Sequence, residues 1–188
     1  NNISKAEASF DDYANKIVNA KILVLEIGKE LNYVSRSTRD IMLGNDYDGN
    51  MQKLIKSREK IELFFSKTVE AVANLPSSKV SIKQIEDAKN STLAFVDDGY
   101  TKMKSLQNIQ ITPEVSASMY AQYKKDATPL AYASRDAFGT IIELADAMLS
   151  QKTVHHAQEM ESLITYVFVE SFVIFSLIMG YLIFLTTV

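Results

Sequence analysis

NNISKAEASFDDYANKIVNAKILVLEIGKELNYVSRSTRDIML, Asn1 to Leu43, decides the fold. Ile3, Ala6, Phe10, Tyr13, Ile17, Ala20, Val24, Ile27, Leu31, Val34, Thr38 and Ile41 recur at spacings of three and four. That is the period of one helix face, sustained as a heptad seam in which Thr38 is the only polar member. GNDYDGN, Gly44 to Asn50, is dense in turn formers and ends this first helix.

Three more helical stretches follow. The second is expected from about Met51 to Leu75, with a seam of Leu54, Arg58, Ile61, Phe65, Thr68, Val72 and Leu75, closed by Pro76-Ser77-Ser78. Arg58 within that seam predicts a structural ion pair across the helices, because a buried charge needs a partner. The third is expected over roughly Lys79 to Asn108, carried by Ile82, Ile85, Ala88, Thr92, Phe95, Gly99, Met103 and Leu106. Thr112-Pro113-Glu114 marks the fourth start: a hydroxyl cap, a proline at the first helical position and an acid in the first turn. Met119, Tyr123, Leu130, Ala133, Ala137, Ile141, Leu144 and Met148 supply its core stripe. Pro129 sits inside that helix and is expected to kink it or break its hydrogen-bond ladder.

No stop signal follows. The fourth helix runs on through His155 and His156 into YVFVESFVIFSLIMGYLIFLTTV, Tyr166 to Val188, whose one charge is Glu170. This stretch of about 23 residues is long enough to cross a bilayer core as a helix. Sustained period-two alternation is absent, so no strand competes. The expected fold is all-α: an antiparallel up-down-up-down four-helix bundle over residues 1–163, its fourth helix continuous with a transmembrane helix over 164–188. Both chain ends would then lie at the membrane-proximal end. Chain start and finish read as those of a fragment of a longer membrane protein.

The composition narrows function. The 188 residues carry a net charge of −3, with no basic patch for nucleic acid. Without cysteine there is neither a disulfide scaffold nor a thiolate metal site. Asp46 to Asn50 evokes a calcium loop, but its glycine comes too early and Ser57 stands where the closing Glu belongs. Adjacent His155 and His156 point about 100° apart on a helix and cannot easily share an ion. No paired-carboxylate cleft, nucleophile with a histidine base or phosphate-cradling glycine loop is legible. No catalytic residue, metal or cofactor is expected, and the chain is not read as an enzyme.

The first helix has a second stripe opposite its core seam: Val18, Ile22, Leu25, Lys29, Asn32, Arg36, Arg39 and Leu43. Its first part is apolar where solvent is expected, which predicts burial of Val18, Ile22 and Leu25 in a parallel homodimer. Arg36 and Arg39 follow on the same line. In a symmetric dimer they would meet their copies and hold an anion between them, bidentately if it is a carboxylate. Two solvated arginines, or ion pairs with Asp40 or Glu30, fit the same spacing.

LNYVSRSTRDIMLGNDYDGNMQKL, Leu31 to Leu54, resembles the end of the first helix and the first turn in the four-helix-bundle sensor domains of bacterial methyl-accepting chemotaxis proteins. The architecture of a long first helix, two shorter ones and a fourth continuous with a membrane span agrees along the whole chain. The resemblance implies an extracytoplasmic sensing module on the cytoplasmic (inner) membrane. In the intact protein a membrane helix would precede it and a HAMP relay and cytoplasmic signalling hairpin would follow. It also implies a small-molecule ligand at the dimer interface. Ser35-Arg36-Ser37 looks like the Ser-Arg-Ser that carries one ligand-binding arginine of the family, and Arg39 like the next, at spacing three rather than four. Asn32 stands where a further arginine is expected. Gln110 and Thr112 resemble a polar pair beside a proline that holds the ligand amino group, with the order Thr112-Pro113 inverted. The expected function is a chemoreceptor module that binds a small, anionic ligand, or reads a liganded periplasmic binding protein, and passes a helix shift across the membrane. A histidine-kinase sensor and a membrane-anchored structural coiled coil are the alternatives.

Overall fold

The structure is a computed structural model that describes the backbone of residues 2–75 and 78–187 and the side chains of residues 3–75 and 82–176. It is all-α, with four helices and, among the described residues, no strand: α1 (Asn2–Met42), α2 (Tyr47–Val72), α3 (Ser78–Lys104) and α4 (Pro113–Thr187). Pro76 and Ser77, expected to close α2, lie outside the described residues.

Local chemistry sets the boundaries. Gly44 adopts a left-handed φ of 80° just past α1. The Gly44 N–H donates to the Ile41 carbonyl and the Asn45 N–H to that of Asp40, both at 2.9 Å. This pair of bonds closes the helix in a Schellman turn, the conformation that glycine adopts without steric cost. The break is shorter than expected, because α2 begins at Tyr47 and not near Met51. The Asp46 carboxylate accepts from the Gly49 N–H at 3.1 Å, so Tyr47 to Asn50 form a capped first turn instead of a loop. Thr112 caps α4 as expected: its hydroxyl accepts from the Val115 N–H at 3.3 Å, with Pro113 and Glu114 next in line. α4 stays helical through Pro129, whose missing N–H deprives the Lys125 carbonyl of its helical donor.

The chain gathers into two compact units, Asn15–Ala147 and Asn1–Ala14 with Met148–Val188. The expected boundary between 163 and 164 falls inside the second.

In the first unit, buried Ile17, Val24, Ile27, Val34 and Ile41 of α1 meet Leu54, Ile61 and Phe65 of α2, Ile85, Phe95 and Met103 of α3, and Ile141 of α4 in one core. Polar contacts fix the neighbours. Glu30 pairs with Ser57 and Lys60, joining α1 to α2. Arg58 pairs with Asp97, and Glu62 with Lys89, joining α2 to α3. Thr92 meets Ser134, and Lys102 meets Asp126, joining α3 to α4. Lys21 pairs with Asp146 at 2.6 Å, joining α4 back to α1. In the α2–α3 and α3–α4 pairings, residue numbers rise on one helix as they fall on the other.

Seam positions on three helices are displaced from the expectation: on α1, Glu30 is buried and Leu31 only half-buried. On α2 the buried residue is Ser57, and Arg58 is half-exposed at the helix edge, where its ion pair still forms. On α4 the buried line is Ala127, Ser134, Ile141 and Ala145, while Ala133 is exposed. Ser134 is drawn inward because its hydroxyl bonds that of Thr92 at 2.9 Å.

In the second unit, His156 stacks on Phe10 at 4.4 Å and Lys152 lies over the Tyr13 ring. His155 Nε2 stands 3.2 Å from Glu159. Among the described residues, no helix is long and apolar enough to cross a membrane. The expected span runs beyond Ser176, where the side chains lie outside the described residues.

Candidate functional site

The stripe on α1 opposite the core is exposed and apolar at its start. Val18 is 44% exposed, Ile22 51% and Leu25 64%. Asn32, Arg36, Arg39 and Leu43 continue the line and are also exposed. Among the described residues, no ion pair engages Arg36 or Arg39, so the intramolecular pairing with Asp40 or Glu30 that the spacing allowed does not form. Glu30 is instead buried at 3% exposure and committed to α2, accepting from Ser57 Oγ at 2.8 Å and Lys60 Nζ at 2.9 Å. The bond to Glu30 is the main reason the Lys60 ammonium is held above its ordinary range.

Within one chain the two arginines open onto different clefts, although they lie three residues apart. Arg36 lines a cleft of about 430 Å³ between α1 and α2, with Lys53, Lys56 and Lys60 around buried Glu30 and Ser57. Asp40 lines it as well, so four cations there face two carboxylates. Arg39 lines a cleft of about 390 Å³ formed by α1, α3 and α4. Its other polar groups are Ser35, Tyr120, Tyr123, Lys124, Thr128 and Arg135. Burial pushes the Tyr123 phenol above its ordinary range, partly offset by the Thr38 hydroxyl, which donates to it at 3.5 Å.

Gln110 belongs to a third cleft, of about 470 Å³, bounded by Ile41, Gly44, Tyr47 and Asp48. Thr112 is engaged as the α4 cap, its hydroxyl turned to its own helix. A single chain therefore does not gather Asn32, Arg36, Arg39, Gln110 and Thr112 at one point. Sequence reading passed over Lys124 and Arg135, which join Arg39 at the same cleft. Their signal was the spacing of cations on the α4 face beside its core stripe.

The chemistry available is recognition of negative charge. Guanidinium and ammonium groups without ion-pair partners favour an oxyanion, and the tyrosine and threonine hydroxyls can donate or accept beside it. Among the described residues, no three His, Cys, Asp or Glu side chains converge to hold a metal ion. Comparison with protein-family models, with curated proteins and with solved structures finds no match to this chain.

Proposed function

We propose that this chain is the ligand-sensing part of a membrane receptor of the chemotaxis type. In this reading its helices form an antiparallel up-down-up-down four-helix bundle. Two chains pair in parallel through Val18, Ile22 and Leu25, and the stretch Tyr166–Val188 crosses the membrane. A small anionic ligand held by Arg36 and Arg39 near the dimer interface, with Asn32, Gln110 and Thr112 around it, favours one of two dimer arrangements. The shift passes along α4, because a ligand moves an equilibrium only by binding its two states unequally.

The observation that carries this reading is the double-sided first helix. One face supplies the buried seam, and the other leaves Val18, Ile22 and Leu25 exposed on a line with two arginines that lack ion-pair partners among the described residues. A helix with a single partner surface needs polar residues on its far side. An apolar stripe there is the kind of surface that a second copy covers. The unbroken helix from Pro113 to Thr187 provides a path for the movement.

The absence of cysteine makes the test clean. Ile22→Cys in the otherwise cysteine-free chain, in membranes, is expected to give disulfide-linked dimers on mild oxidation. Lys67→Cys on exposed α2 is expected to stay monomeric. Equal cross-linking at both positions would sink the interface. A thermal-shift screen against small carboxylates and inorganic anions is expected to give a hit that Arg36→Ala and Arg39→Ala abolish.

A further inference from the structure

The cleft of α1, α3 and α4 differs from its neighbours in charge. Arg39, Lys124 and Arg135 line it, and no Asp or Glu does. Among the described residues, none of the three has an ion-pair partner, and Asp126, on the same stretch of α4, is taken by Lys102. The Arg36 cleft, by contrast, carries Glu30 and Asp40 as internal counter-charges. Three uncompensated cations around one space repel each other, and an anion between them relieves that repulsion.

The floor selects among anions. Met42, Phe95 and Ala127 are buried beneath the cations and give the cleft an apolar base. A strongly hydrated inorganic anion would lose water against that base and gain nothing in return. A molecule with a carboxylate at one end and an apolar body at the other satisfies both parts. The guanidinium forks of Arg39 and Arg135 match the carboxylate, and Phe95 with Tyr120 receives the body. At about 390 Å³ the space lies within the usual range for small-molecule sites.

We propose that this cleft, within a single chain, binds a small monocarboxylate with an apolar body. The placement on α4 links binding to movement. Lys124 and Arg135 lie on either side of Pro129, where the helical ladder lacks a bond. A ligand held by both cations spans that weak point and fixes the bend of α4 there. The proposal goes beyond the sensing reading: it is a second site, which shares Arg39 with the interface site but not Arg36. It rests on that reading for its purpose only, since the binding itself needs no second chain.

The test is isothermal titration calorimetry on the full chain in detergent micelles, with phenylacetate, acetate and inorganic phosphate as probes and empty-micelle heats subtracted. Phenylacetate is expected to bind once per chain, at least about tenfold more tightly than acetate or phosphate. Lys124→Gln and Arg135→Gln are each expected to weaken it about fivefold or more, through loss of a charge-assisted bond. Ala131→Trp fills the cleft without removing charge and is expected to abolish binding. Lys67→Gln, which removes a cation from exposed α2, is expected to leave the affinity unchanged. Absence of phenylacetate binding, or phosphate binding as tightly, would overturn the proposal. So would loss on Arg36→Gln or Ile22→Glu with Arg135→Gln unaffected, a pattern that returns the ligand to the dimer interface. Failure of Ile22→Cys to cross-link, with the Arg135 dependence intact, removes the dimer reading and leaves this site standing.

Discussion

Glu30 on α1 and Ser57 on α2 meet inside the protein, the hydroxyl donating to the carboxylate at 2.8 Å. Both residues are buried, and Lys60 supplies the second donor from a more exposed position. A carboxylate taken out of water this way depends on each hydrogen bond it keeps.

Ser57→Ala removes one of the two donors and leaves Lys60 alone. The expected loss is about 2 kcal/mol of stability, the usual cost of a missing hydrogen bond to a buried charge. Urea denaturation reads it directly. A loss within error of zero would mean that water replaces the hydroxyl.

Lys60 makes the same contact sensitive to alkali. Its ammonium is held above the ordinary 10.5, chiefly by the hydrogen bond to Glu30. A cation raised on folding contributes stability that is fully present below its unfolded value and is lost as pH rises through its folded one. Stability is therefore expected to fall above pH 10.5, and Lys60→Gln is expected to flatten that fall. Thermal melts from pH 8 to pH 11 compare the two proteins.

The same two residues show where the sequence stops being legible. A heptad step divides as three plus four or four plus three, and apolar periodicity alone does not choose. Between Ile27 and Val34 the hydrophobic pattern favours Leu31, and between Leu54 and Ile61 it offers Arg58 or Ser57. The structure buries Glu30 and Ser57, the alternative division on both helices, because each satisfies the other. On α4 the buried line is Ala127, Ser134, Ile141 and Ala145, and small residues carry too little hydropathy to announce a seam. The four helices, the Thr112 cap and most of the α1 seam were readable because glycine, proline and strong apolar spacing act locally. The cleft shared by Arg39, Lys124 and Arg135 was not, since it joins positions nearly a hundred residues apart.

Thr92 and Ser134 provide a second test of paired burial. Their hydroxyls lie 2.9 Å apart, both enclosed between α3 and α4. Thr92→Val strands the Ser134 hydroxyl and is expected to cost about 2 kcal/mol. The double variant Thr92→Val, Ser134→Ala removes both polar groups and is expected to cost less than the two single changes summed. A double-mutant cycle by urea denaturation measures the difference, and simple additivity would show that the hydroxyls do not interact.

Arg58 and Asp97 hold α2 to α3 by two bonds, Nε to Oδ1 at 2.6 Å and Nη2 to Oδ2 at 3.3 Å. The side chains are 38% and 48% exposed, so solvent screens the pair. A cycle of Arg58→Ala and Asp97→Ala is expected to give a coupling of about 0.5 kcal/mol, falling in 1 M salt. A coupling several times larger would mean that the helix edge is drier than these exposures imply. Arg58→Lys is expected to recover less than half of the coupling, because an ammonium cannot reproduce the two-pronged contact.

The start of α4 joins a cap to a titratable group. Glu114 is held below its ordinary 4.5, first by the backbone N–H of its own residue and then by the Thr112 hydroxyl. A carboxyl lowered on folding contributes stability present above its unfolded value and lost as pH falls through its folded one. Acidification below pH 4.5 is therefore expected to weaken the protein, and Glu114→Gln is expected to reduce that slope while changing little at alkaline pH. Thr112→Ala acts on both terms. At pH 7 it removes the bond to the Val115 N–H, an expected cost of about 1 kcal/mol. In acid it also shortens the window, since Glu114 loses one of the two groups that hold its charge. Melting curves at pH 7 and from pH 5 to pH 2.5 separate the effects. If Thr112→Ala left the acid slope unchanged while lowering the neutral melting temperature, the hydroxyl would act on the helix alone and not on Glu114.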